Sequence, residues 1–188
     1  MKVKLILLVM LCFGFNSYGQ IGNEYYKLGK LNVENKDFKG AIINFTKAIE
    51  IEDHKNYPQA LAIYLLERGN SKERLNDFRG AISDLTSSID YLKVYILTSS
   101  SPNENTINVM RIIFTSRAYA KLGMEDLDGA LLDVNEALEL SPRSGELFKL
   151  RGEIKILLGQ KDSACLDFSR AGELGADGAY ERINGNCN

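Results

Sequence analysis

No tryptophan occurs in these 188 residues, histidine appears once and proline three times. So little proline leaves long stretches without a helix breaker, and alternating β-branched runs are scarce, which favours an all-helical chain. The lone histidine, His54, lies between Asp53 and Lys55 in a polar stretch and reads as a surface loop residue. With no other imidazole, Ser163 has no base to activate it and Asp162-Ser163 reads as a helix start. The chain has no glycine-rich phosphate loop, no His-Glu-x-x-His, no Cys-x-x-Cys and no Gly-x-Ser-x-Gly. Asn44-Phe45-Thr46 matches a glycosylation sequon by pattern alone, with Phe45 at an expected core position. No catalytic, cofactor-binding or metal-ligating residue is therefore assigned, and the chain is expected not to be an enzyme. Excess positive charge is also missing: the formal charge is −2, which argues against nucleic acid as a partner.

One long apolar run stands apart from the rest. Leu5 to Phe15 follows Lys2 and Lys4 and precedes Ser17-Tyr18-Gly19. That order is a secretory signal peptide over residues 1–19, cleaved near Gly19/Gln20. The run is short for a bilayer span, so an uncleaved anchor is the weaker reading. Acylation at Cys12 is weaker still, because Leu11 stands where a small residue is needed. The expected product is periplasmic or extracellular, with no transmembrane span after processing and a charge of −4, since the leader carries two lysines and no acids. Two cysteines survive processing, Cys165 and Cys187, so a disulfide between them competes with a pair of thiols.

A four-fold register dominates what remains. Gly29, Gly69, Ala118 and Gly152 are each followed twelve positions on by Ala41, Ala81, Ala130 and Ala164. Four further lie Phe45, Leu85, Val134 and Phe168, and three beyond those Ala48, Ser88, Ala137 and Ala171. Small and large apolar residues at fixed offsets mark a helical repeat array. Helices approach closely only where the crossing residues are small, and a helix-interior glycine costs roughly 1 kcal/mol against alanine. Its recurrence implies a packing gain that offsets this cost. Between the paired helices lie Asn35-Lys36-Asp37, Asn76-Asp77, Met124-Glu125-Asp126 and Gln160-Lys161-Asp162, whose Asp and Asn residues are candidate N-caps.

This pattern resembles the tetratricopeptide repeat: Leu28-Gly29, Phe38, Ala41, Phe45 and Ala48 in the first unit, with Pro142 closing the third. The resemblance implies a right-handed α-solenoid of four helix-turn-helix repeats at about 22–55, 62–95, 111–144 and 145–178. The spacing between register positions is 40, 49 and 34 residues, against a family period of about 34. The insertion at 96–110 predicts two lengthened helices joined by a loop near 99–105, where Ser99 to Asn103 carries a turn signal. Gly175 stops the last helix, and a short capping helix within 177–185 would return Cys187 towards Cys165.

By the same resemblance, the concave groove is lined by exposed positions of each first helix: Tyr26, Lys30, Leu66, Asn70, Thr115, Tyr119, Lys149 and Glu153. The basic and amide set of the carboxylate-clamp subfamily is missing, because Ile112 and Ser116 occupy its third-repeat positions and only Asn70 is of the right type. The expected function is an interaction module that scaffolds envelope or secreted protein partners through the groove or the 96–110 insertion. The alternative is self-association through the apolar stretch 91–113, which includes Tyr91, Leu92, Val94, Tyr95, Ile96, Leu97, Ile112 and Ile113.

Overall fold

The computed structural model describes residues 21–52, 57–99 and 103–187. The expected leader and His54 lie outside them. The described residues form nine helices and no strand. These are α1 (21–34), α2 (Phe38–Ile51), α3 (Pro58–Glu73), α4 (Phe78–Thr98), α5 (Glu104–Leu122), α6 (Leu127–Leu140), α7 (Gly145–Leu157), α8 (Lys161–Glu173) and α9 (Ala179–Asn186). They group into two compact units, α1–α4 and α5–α9. In the first, α3 packs on α4 and on α2. In the second, α5 pairs with α6, α7 packs on α8 and α6, and α8 also carries α9.

The register is the core. All twelve positions following the Gly/Ala series, from Ala41, Phe45 and Ala48 through Ala164, Phe168 and Ala171, are inaccessible to solvent. The residue types follow from close approach. A Cβ at Gly29 would enter the Phe45 ring, one at Gly152 would lie 2.7 Å from Phe168 Cε1, and one at Gly69 would lie 3.0 Å from Leu85 Cγ. The third repeat solves the same contact the other way round, with Ala118 facing the smaller Val134. Ser88 takes the place of alanine in the second repeat and donates its hydroxyl to the Ala62 carbonyl at 2.5 Å, which satisfies a buried polar group.

Short turns close each hairpin. Asp37, Asp77 and Asp126 cap α2, α4 and α6 by accepting from the N–H of Gly40, Gly80 and Gly129. The residue before each, Lys36, Asn76 and Glu125, has φ near +60°. At the fourth turn Gly159 takes that conformation. There the expected capping by Asp162 does not occur. Gln160 is the N-cap, without a side-chain bond, and Asp162 sits inside the first turn of α8, where its charge still favours the helix N-terminus.

The extra residues of the first two repeats lengthen helices. Helix α3 starts at Pro58, a residue suited to a first turn, and α4 and α5 run for 21 and 19 residues. Asn103 caps α5 by accepting from the Thr106 N–H. The apolar stretch 91–113 is smaller as a surface than its sequence suggested, because Leu92 and Ile113 are fully buried. The cap occupies Ala179–Asn186 after two glycines with φ above +70°, Gly175 and Gly178. Cys187 is bonded to Cys165 of α8 across 22 residues, with Cα atoms 5.8 Å apart.

Candidate functional site

The eight groove positions fall four to each unit. In the first, the Tyr26 ring stacks on Tyr64 of α3 with centroids 5.0 Å apart. Lys30 reaches across to Glu67 of α3, with Nζ donating to Oε1 at 2.7 Å. Burial, and then the neighbouring Glu67 charge, push the Tyr26 hydroxyl above its usual pKa, with Lys30 opposing. Burial, the largest single influence, works against the Lys30 charge, but the bond to Glu67 together with the charges of Glu67, Tyr26 and Glu34 outweighs it and holds the ammonium above its ordinary range. Tyr64, pressed into the core beside Glu52, is pushed up to about 12 by burial first and that carboxylate second.

Leu66 corrects the sequence reading, since it is only 6% exposed. It lies between Ala62 and Gly69 on the flank of α3 that meets α4, so a short apolar side chain there folds inward. At the same register position Tyr26 and Lys149 are longer and polar-tipped, and they remain partly accessible. Asn70 is partly buried.

In the second unit, Tyr119 is half exposed at 50%. Burial of the other half raises its pKa, followed by the Glu153 charge, with Lys149 opposing and Glu146 adding. Tyr119 of α5 therefore faces the charged side chains of α7. Thr115 turns its hydroxyl back to the Arg111 carbonyl at 2.9 Å. Lys149 pairs with Glu146 and donates to the Asp177 carbonyl at 2.9 Å. Glu153 pairs with Arg182 of α9 at 2.8 Å. An open cavity of about 450 Å³ lies between α7 and α9, lined by Lys149, Glu153, Asp177, Glu181 and Arg182 among others. The cap is thus part of this face. Arg182 was not foreseen, because the register says nothing about a helix outside the repeats.

A second feature was also missed. Arg68, Arg117 and Arg151 each clasp an aspartate sixteen positions on, Asp84, Asp133 and Asp167. A lysine four positions after each arginine, Lys72, Lys121 or Lys155, completes the site at 2.7–2.8 Å. The aspartates are almost wholly buried. Two of the arginines also reach the preceding repeat, Arg68 to Thr46 Oγ1 and Arg151 to Asn135 Oδ1. In the first repeat the same three positions hold Leu28, Asn32 and Asn44, and the two amides bond to each other at 2.8 Å. These ion clusters bind the repeat together and leave none of these three aspartates open for a ligand. No group of His, Cys, Asp or Glu among the described residues could hold a metal ion.

The register, the packed hairpins and their shared turns define an all-α helical-repeat solenoid. Residues 25–54 match the family described as tetratricopeptide repeat. Tetratricopeptide repeat protein 36 of Xenopus tropicalis is 39% identical over 74 residues, 37% of this chain and only 37% of that protein's length. A tetratricopeptide repeat protein from Parabacteroides merdae superposes with a TM-score of 0.66 at 20% identity, covering 89% of this chain and 61% of that one. MamA from Desulfovibrio magneticus superposes with a TM-score of 0.65 at 14% identity, covering 81% and 75%. Residues 25–54 thus carry a tetratricopeptide repeat, and the described helices share the fold of solved tetratricopeptide-repeat structures.

Proposed function

We propose that the chain is an exported protein-interaction module that binds an extended peptide or helix of a partner through the concave faces of its first helices. The observation that carries this reading is Tyr119. A ring half open to solvent, beside Lys149 and Glu153 on the adjacent repeat, offers apolar area and charge together. Such amphipathic groups anchor protein interfaces. A preorganised helical scaffold lowers the ordering cost of binding. Export rests on Lys2, Lys4 and the Leu5–Phe15 run, and a Cys165–Cys187 bond suits an oxidising compartment. Envelope or secreted proteins are the partners this location makes available.

Capture of partners from an envelope fraction, followed by mass spectrometry, is the test. Tyr119→Asp should abolish capture while the helical circular dichroism signal is unchanged. Equal capture by the variant removes the α5–α7 face from consideration.

A further inference from the structure

We infer, on the reading that a partner uses the α7 face, that α9 is a plug on that face, seated by the Cys165–Cys187 bond and released when the bond is reduced. The plug engages both charged groove residues of α7. Arg182 of α9 pairs with Glu153 at 2.8 Å, and Lys149 donates to the Asp177 carbonyl at 2.9 Å. A partner reaching for either group meets it already occupied, and departure of α9 frees the two together.

Noncovalent contacts hold α9 weakly. It has eight residues, and isolated helices shorter than about 12 residues are marginal in water. Gly178 caps it with no side chain to take the free N–H groups, and Gly185 weakens its last turn. Ala179 is its one buried residue. Tyr180 lays its ring over Gly172 of α8 yet stays 64% exposed. The Arg182–Glu153 pair is open to water, with side chains 55% and 34% exposed, and pairs of that kind contribute little. The hairpin beneath is differently placed. Phe168 packs into Gly152 of α7, and Arg151 and Lys155 clasp Asp167, so α7 and α8 have a core and an ion cluster that do not involve α9.

Both cysteines are partly accessible, so an external dithiol can reach the bond. One of its thiolates attacks a sulfur of the bond, forms a mixed disulfide and expels the other cysteine as a thiolate. Its second thiolate then attacks the mixed disulfide and expels the first cysteine. Two electrons and two protons pass from the dithiol to Cys165 and Cys187, and the dithiol leaves as a disulfide. Helix α9 is then joined to α8 through residues 174–178 alone.

The test is hydrogen exchange read by mass spectrometry on protein expressed from the complete 188-residue chain. Three samples are compared: oxidised protein, protein reduced with dithiothreitol, and the double variant Cys165→Ser, Cys187→Ser. The α9 amides should be protected in the first and lose about tenfold or more of that protection in the other two, while α7 and α8 keep theirs. Acetylation of Lys149 by an N-hydroxysuccinimide ester should rise several-fold in step, with Lys155, held on Asp167, unchanged. Undiminished α9 protection after reduction, or an unchanged Lys149, overturns the inference. Loss of protection throughout α7 and α8 overturns it as well, since the bond would then hold the hairpin rather than seat a plug. In the envelope-capture assay the reduced protein should retain more partner than the oxidised one. If Tyr119→Asp abolishes capture and reduction leaves it unchanged, the plug falls and the α5–α7 reading stands. If Tyr119→Asp captures as the parent does, both fall.

Discussion

Arg68 holds Asp84 through two parallel hydrogen bonds, Nε to Oδ2 at 2.8 Å and Nη2 to Oδ1 at 2.7 Å. Lys72 adds a second cation at 2.8 Å, on an aspartate only 5% exposed. A bidentate arginine contact is geometrically specific as well as strong. Because Arg68 also donates to Thr46 of α2, one guanidinium fixes both the hairpin and its seating on the repeat before it.

Replacing Asp84 with asparagine leaves two partly buried cations facing a neutral group, and should cost about 3 kcal/mol of unfolding free energy. The triple change Arg68→Leu, Lys72→Asn, Asp84→Asn installs the first repeat's solution and should recover most of that loss. Denaturant titration of the parent and both variants checks this. A triple variant no more stable than Asp84→Asn alone would show that the neutral pattern works only in the first repeat.

Gly152→Ala should cost about 2 kcal/mol, because the added methyl forces the Phe168 ring out of a packed core. Combined with Phe168→Val, it reproduces the Ala118–Val134 pairing, and the double variant should lose less than the two single losses together. Thermal melts of the four proteins give the coupling. Simple additivity would mean that the two side chains do not share a space.

Alkaline unfolding should report Tyr64. Its hydroxyl has a raised pKa of about 12 in the folded chain, against 10.0 for an unperturbed tyrosine. Below pH 10 both states hold the proton and the folded state keeps this contribution in full. Between pH 10 and about 12 the unfolded chain releases it first, so stability falls as pH rises. Tyr64→Phe should flatten that fall, measured as the denaturation midpoint against pH. An unchanged slope would assign the alkaline loss to other groups.

The repeat was legible because glycine, alanine and phenylalanine at fixed offsets are nearly forced by close helix approach. The ion clusters obey equally regular spacing, yet Arg68, Lys72 and Asp84 looked like ordinary solvated charges. Their burial depends on how long side chains fold back over a neighbouring helix, and only the assembled hairpin shows that. Leu66 failed for the converse reason: the register places its Cα on a boundary, and the apolar side chain there is buried while the polar Tyr26, Thr115 and Lys149 stay partly accessible. Arg182 belongs to a cap whose position no repeat rule describes. The αL turn residues Lys36 and Glu125 carried little signal, since only Gly159 and Asn76 announce that conformation by their type.

The bond between Cys165 and Cys187 has a consequence for competition. Helix α9 contributes Arg182 to Glu153 and the Asp177 carbonyl lies against Lys149, so it occupies part of the face that a partner of α7 would use. Without the bond α9 would still hang from α8 by residues 174–178 and would rebind as a segment fixed at one end. With the bond it is held at both ends and samples fewer positions away from the face. Its local concentration, already of roughly millimolar order for a short tether and independent of dilution, is thereby raised further. Any ligand of Lys149 and Glu153 must therefore outbid a resident competitor whose concentration is set by the covalent loop.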